Sequence, residues 1–284
     1  MKRKALLVGI NDYAPVGKKG RDLEGCLNDV QNVANTFNAL GIIPARPDQM
    51  HILTDTRATR DNILNELNWL ITEAVEGDLL VFYYSGHGSQ VLDLFGDEID
   101  WKDETLCPHD FETAGMIKDD DLRHIFSGVS PGVSLEVILD SCHSGTGTRL
   151  ALALDALPKE LSFTVRYIEP PLDYGFFLEK DPTIPTRGIL RLFGGAKEAV
   201  NVPALNHTLW AACRDNEPAG EAIIDGKKQG VFTHTFCKVL RRAGMETSRK
   251  TLCSLVTDYV KTLDFGQHPR LEGTEKSFGK RVFT

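Results

Sequence analysis

Two short stretches carry side chains that could do chemistry together. Asp140-Ser141-Cys142-His143-Ser144-Gly145 sets a thiol just after the apolar run Val137-Ile138-Leu139. Tyr84-Ser85-Gly86-His87-Gly88-Ser89 sets an imidazole just after Leu79-Leu80-Val81-Phe82-Tyr83. Each apolar run reads as a buried strand. Both groups therefore emerge past strand ends, where open parallel sheets collect ligands and catalytic groups. A thiol attacks as its thiolate, and a neighbouring imidazole can take the proton. Taken singly, Cys142 reads as a small buried hydrophobe, and Gly86-His87-Gly88 reads as a turn with an idle ring. Two strand ends of one sheet, one offering imidazole and one thiol, make Cys142/His87 a candidate dyad beside those plainer readings. Cys142 follows its strand and precedes small and polar residues, which predicts an exposed sulfur. His143 competes for the role of base, but adjacent side chains point apart. The glycines flanking His87 let a substrate backbone approach and leave a backbone N–H nearby.

These positions need a scaffold, and the chain supplies one. Residues 4–10 read as a first strand and 11–25 as a loop. Leu27, Val30, Ala34, Phe37 and Leu40 repeat at helical spacing, with Gly41 where a C-terminal cap belongs. A short strand is expected at 50–53, then a helix capped by Thr59 with Ile63, Leu67, Leu70, Ile71 and Ala74 on its apolar face. Strands at 79–85 and 134–140 deliver His87 and Cys142. Between them lies an acid-rich polar stretch, 90–121, followed by a short helix at 121–126. A fifth strand at 208–213 and helices at 232–242 and 252–263 complete the pattern, while 270–284 is ambiguous. Strands alternating with helices imply an α/β fold: a mostly parallel twisted sheet with helices on both faces.

Composition narrows the class. The 284 residues suit one domain with an inserted segment, divided as 1–145, 146–206 and 207–284. The middle portion is rich in proline and is too long for an ordinary connection. A net charge of −8 argues against nucleic acid as a partner. No stretch approaches the length of a membrane span, and no signal-peptide pattern opens the chain. Six scattered cysteines without a C-x-x-C pair suggest a reducing compartment, so a cytoplasmic location is expected. Cys107 and His109 lack partners at zinc-ligand spacing.

The two motifs resemble those of metacaspases, caspase-like cysteine peptidases. Residues 5–13, 23–30, 211–219 and 230–233 resemble further stretches of that family, so the likeness covers most of the chain except 146–206. The resemblance implies a caspase-like fold and an endopeptidase cleaving peptides or proteins after Arg or Lys. Cys142 would be the nucleophile, His87 its proton carrier, and the N–H groups of Gly88 and Cys142 an oxyanion hole. Asp29, Asp140, Cys26 and Ser85 fall at the positions that receive the basic side chain. Two carboxylates there can pair with one cation. Asp29 also reads as a plain helix-start residue and Asp140 as a solvated strand end.

Asp103, Asp119 and Asp120 fall at the family's calcium positions, and clustered carboxylates suit that ion. A solvated acidic loop is the equal alternative, and Arg149 stands near where a further acidic ligand is expected. No organic cofactor is implied. The resemblance favours a monomer. Basic residues of 146–206, among them Arg149, Lys159, Arg166, Lys180, Arg187, Arg191 and Lys197, are candidate self-cleavage sites, with Arg187 the first choice, and an insertion that packs and is never cut is the equal alternative. An idle caspase-like binding or regulatory module, or a same-fold peptidase of other specificity, are the rival readings.

Overall fold

The computed structural model describes residues 1–13, 22–92, 102–143, 163–168, 207–214 and 217–284. Its elements in order are β1 (Arg3–Gly9), α1 (Cys26–Ala39), β2 (Met50–Thr54), α2 (Arg60–Ile71), β3 (Leu79–Ser85), β4 (Gly88–Leu92) and β5 (Lys102–Leu106). There follow α3 (Phe111–Ala114), β6 (Ile117–Lys118), α4 (Asp119–Ser127), β7 (Ser134–Asp140), β8 (Thr164–Val165), β9 (Thr208–Ala211), β10 (Gly220–Ile224) and β11 (Lys227–Gly230). The last are α5 (Val231–Ala243), α6 (Arg249–Thr262), β12 (Arg270–Glu272) and α7 (Glu275–Phe278).

The main sheet runs β12-β9-β7-β3-β1-β2, parallel except for β12. β3 is buried along its whole length, as a central parallel strand covered on both faces must be. One face packs on α1, α5 and α6 through Val30, Phe37, Phe232, Phe236, Leu252 and Val256. The other packs on α2 and α4 through Ile63, Leu67, Leu70, Leu122 and Phe126. The architecture is thus α/β, mostly parallel, with helices on both faces. α2 begins where Thr59 Oγ accepts the Asn62 N–H, and Gly41, at φ 64°, ends α1.

Two features depart from the sequence expectation. The acid-rich stretch contributes β4, β5 and β6, which pair as a small antiparallel sheet. Its pattern is weak because β6 has only two residues and β5 is polar for most of its length. A hairpin, β10–β11, turns at Asp225-Gly226, with φ of 53° and 77°. That Asp-Gly pair is a recognisable two-residue hairpin signal.

Candidate active site

β3 and β7 are neighbours, and their register sets Ser85 opposite Asp140. His87 and Cys142 each follow two residues later, so both loops leave the same sheet edge. The His87 backbone is clamped. Its N–H donates to Tyr13 Oη (2.7 Å), while its carbonyl accepts from Tyr84 Oη (2.7 Å) and the Cys107 N–H (3.1 Å). The Tyr13 ring lies 4.7 Å from the imidazole, centroid to centroid. Three buried tyrosine and cysteine contacts thus fix where the imidazole hangs.

Cys142 is fully buried, not exposed as its position in the sequence suggested. Residues 163–168 lie across the strand ends, and the sulfur itself faces the Glu217 carbonyl and Cys213. The Arg166 carbonyl accepts from the Gly88 N–H (3.0 Å) and the Cys142 N–H (3.1 Å). These are the two donors named above for an oxyanion hole, converging on one peptide carbonyl. A Cβ at Gly88 would run into the Cys142 carbonyl and come within 2.9 Å of His143 Nδ1, so only glycine fits there. The Cys142 thiol donates to the Glu217 carbonyl at 3.4 Å. The nearby Cys213 thiol is pushed up, first by its hydrogen bond with Cys142 and then by burial. It therefore stays protonated.

The Arg166 side chain fills an acidic pocket beneath. Its guanidinium pairs with Asp29 (2.6 Å), Asp140 (3.0 Å) and Glu221 (3.3 Å), all essentially without solvent exposure. Nη1 also donates to Ser85 Oγ (2.9 Å) and the Asp140 carbonyl (3.2 Å). Each acid is held by a different element. Asp29, in the first turn of α1, accepts from the Gly230 N–H and from Ser85 Oγ. Asp140, at the end of β7, accepts at Oδ2 from the Thr233 N–H (3.1 Å) and Oγ1 (2.6 Å). Thr233 is in the first turn of α5, whose free N–H groups and dipole favour an anion. Glu221, on β10, accepts the N–H groups of Glu24 and Gly25 (both 2.9 Å) just before α1. Gly230 has no side chain because a Cβ would strike Asp140 Oδ2 and lie 2.6 Å from Arg166 Nη1.

Burial pushes the Asp29 carboxyl up to about 6, with Arg166 pulling it down and Asp140 adding to the rise. Burial likewise pushes the Cys26 thiol up. Cys26 is buried at the start of α1, where its N–H donates to Asn11 Oδ1. The chain on either side of Arg166 is bound as a strand would be. Thr164 and Val165 pair antiparallel with Glu221 and Gly220, and the Arg166 N–H donates to the Ala219 carbonyl (2.9 Å).

Of the residues named from the sequence, Asp29, Asp140, Ser85, Cys26, Gly88, Cys142 and His87 gather at this one edge. Asp119 and Asp120 lie elsewhere, at the start of α4, both paired to Arg123 (2.7 and 2.6 Å). Asp103 is on β5, whose partner β6 runs into them. Arg149 and Arg187 are outside the described residues. Sequence reasoning missed Glu221 and the seating of Arg166. Neither has a local signal, since each is brought in by strands that pair far along the chain.

A cysteine and a histidine at adjacent strand ends of a caspase-like sheet define a class, the cysteine peptidases of caspase fold. The family model "Metacaspase, peptidase C14 domain" matches residues 3–151. Metacaspase-1 of Ajellomyces capsulatus is 35% identical over 95% of this chain and 79% of its own. Metacaspase-1 of Pyricularia oryzae is 36% identical, over 95% and 71%. Among solved structures, protein GSU0716 of Geobacter sulfurreducens superposes with a TM-score of 0.70 at 25% identity, covering 100% of this chain and 99% of that one. Caspase-1 of Spodoptera frugiperda gives a TM-score of 0.54 at 15% identity over 99% and 91%, a likeness of fold alone. The chain belongs to the metacaspase family, and it is a cysteine endopeptidase.

Proposed function

We propose that the enzyme cleaves peptides after Arg or Lys with a Cys142/His87 dyad, and that it processes itself at Arg166–Tyr167. One observation carries this reading. The Arg166 carbonyl rests on the Gly88 and Cys142 N–H groups while its guanidinium is held by Asp29, Asp140 and Glu221. A peptide held by backbone pairing on one side and a charged pocket beneath has the pose of a bound substrate. Arg166 therefore replaces Arg187 as the proposed self-cleavage residue.

In this mechanism His87 takes the Cys142 proton, and the thiolate attacks the carbonyl carbon. Negative charge gathers on the carbonyl oxygen, where the two N–H groups already point. The C–N bond then breaks as His87 protonates the departing Tyr167 nitrogen. Water hydrolyses the thioester and restores the thiol. The pocket is occupied by the enzyme's own chain, so another substrate must wait until residues 163–168 leave.

Calcium is proposed at Asp103, Asp119 and Asp120. Arg123 already neutralises two of these carboxylates, and among the described residues no group of three metal-ligating side chains converges. A calcium ion there would share both carboxylates with Arg123 or compete with it for them. The monomeric state and cytoplasmic location are likewise proposals. Among the described residues no helix is long and apolar enough to cross a membrane.

Reporter peptides ending in Arg, Lys or Asp test the specificity, with Cys142→Ala as control and with calcium or chelator added. Turnover of the Arg and Lys peptides alone is expected. Preference for Asp overturns the basic specificity. Undiminished turnover in chelator removes calcium.

A further inference from the structure

The chain in the cleft continues in an ordered way beyond Arg166. Tyr167 bridges Gly88 in the parallel sense. The Ile168 N–H donates to the Gly88 carbonyl (3.0 Å), and the Ile168 carbonyl accepts from Ser89 Oγ (2.7 Å). Gly88 thus serves both sides of the bond: its N–H holds the Arg166 carbonyl and its carbonyl holds Ile168. Ser89 is itself fully buried, so its hydroxyl is aimed, not loosely solvated.

The side chains diverge as well. Val165 joins the apolar cluster on the α1 and α5 face of the sheet. Ile168, only 4% exposed, joins the cluster on the α2 and α4 face. Tyr167 also packs against the first cluster, so the segment crosses the sheet edge between Tyr167 and Ile168 and buries apolar side chains on both faces. Holding a residue by its N–H, its carbonyl and a dry side-chain site is what a specificity subsite requires.

Resting on the reading of this cleft as an Arg- or Lys-directed peptidase, we propose a second specificity subsite on the leaving-group side. It takes an aliphatic residue two positions after the scissile bond and is built by Gly88, Ser89 and the apolar cluster beside α2 and α4. The ligand class is a peptide of the form basic–any–aliphatic. An acid at the aliphatic position would place a charge in an apolar, water-poor site, which is costly. A chain ending one residue after the cut would forgo both backbone bonds.

The test uses the active enzyme and octapeptides of the sequence Phe-Thr-Val-Arg-Tyr-Xaa-Glu-Pro. Xaa is Ile, Leu or Asp, and a fourth peptide stops at a Tyr dimethylamide, which has no N–H to give Gly88. A peptide with Arg followed directly by a fluorophore reports whether the basic pocket works at all. The expected result is a kcat/KM about 10–100-fold higher for Ile and Leu than for Asp or the truncated peptide, the range of one apolar side chain in a pocket. Equal kcat/KM across the series, with the fluorophore peptide cleaved, overturns the subsite and leaves the basic specificity standing. Cleavage of none of the Arg peptides overturns the specificity and the subsite together. In the chain itself, Ile168→Asp should slow self-cleavage about 10-fold or more, with Ile168→Val restoring it. Matched rates for the two variants count against the subsite.

Discussion

At the scale of single residues, the acidic pocket makes the sharpest demands. Asp140 touches the guanidinium through its side chain and its carbonyl, and it lies two residues from the thiol. Asp140→Asn should lower kcat/KM for Arg peptides by about 2–5 kcal/mol, the cost of breaking one buried charged contact. Circular dichroism should show the fold retained. An unchanged kcat/KM would remove Asp140 from the pocket. Glu221→Gln should act the same way but less strongly, because Glu221 is the most distant of the three acids.

The raised Asp29 carboxyl adds a pH dependence. The charged form binds the cation, and Arg166 is what holds this carboxyl down to about 6, so in the emptied pocket it lies higher and the KM for Arg peptides should rise as pH falls towards 6. The folding linkage has the opposite sign. A carboxyl raised from 3.8 to about 6 favours folding when protonated, so this stabilisation is full below 3.8 and lost as pH rises through 6. A pH profile of KM for wild type and Asp29→Asn checks the claim. The acid limb should vanish in the variant, and its persistence would assign it to another group.

Much of this pocket can be read from types and spacing. Cys142, His87, Asp140 and Ser85 sit beside apolar runs that must be strands, and Asp29 opens a periodic helix. Glu221 and Arg166 cannot be found this way. Glu221 is one acid among many until β10 carries it to the start of α1. Arg166 is one of several basic residues until β8 docks. The burial of Cys142 escaped for the same reason: the segments that cover it have no local signature.

At the scale of elements, the site depends on strand addition. β8 pairs with β10 at Gly220 and Glu221. A Cβ at Gly220 would press on the Thr164 carbonyl and lie 2.6 Å from the Phe163 ring. Gly220→Val should therefore block docking of the segment. It should reduce self-cleavage and turnover of extended peptides by about 10-fold or more, as lost alignment does. A shortened Arg reporter should suffer less, and equal loss for both would contradict strand addition. The long strands and helices were legible because their periodicity is strong. β4, β5, β6 and β8 were not, since two to five residues on a small sheet or a docking edge carry little pattern.

At the scale of the molecule, the C-terminal elements are tied to the catalytic strand. Glu136, fully buried on β7, accepts from Trp210 Nε1 on β9 (2.7 Å) and from Arg249 Nε on α6 (2.7 Å). Arg249 also donates to the Ser277 and Thr284 carbonyls. Burial, offset first by Arg249, raises the Glu136 carboxyl. Arg249→Met should cost about 3–5 kcal/mol by leaving that carboxylate buried and unpaired. A denaturant midpoint reports it, and no shift would mean the cluster does not brace the sheet.

The central claim is that Arg166–Tyr167 is the bond presented to Cys142. Mass spectrometry of the purified chain and of Cys142→Ala, each incubated and sampled over time, tests it most directly. The account predicts a new N-terminus at Tyr167 in the active protein alone. First cleavage after another residue, such as Arg187, or the same cut in Cys142→Ala, would contradict it.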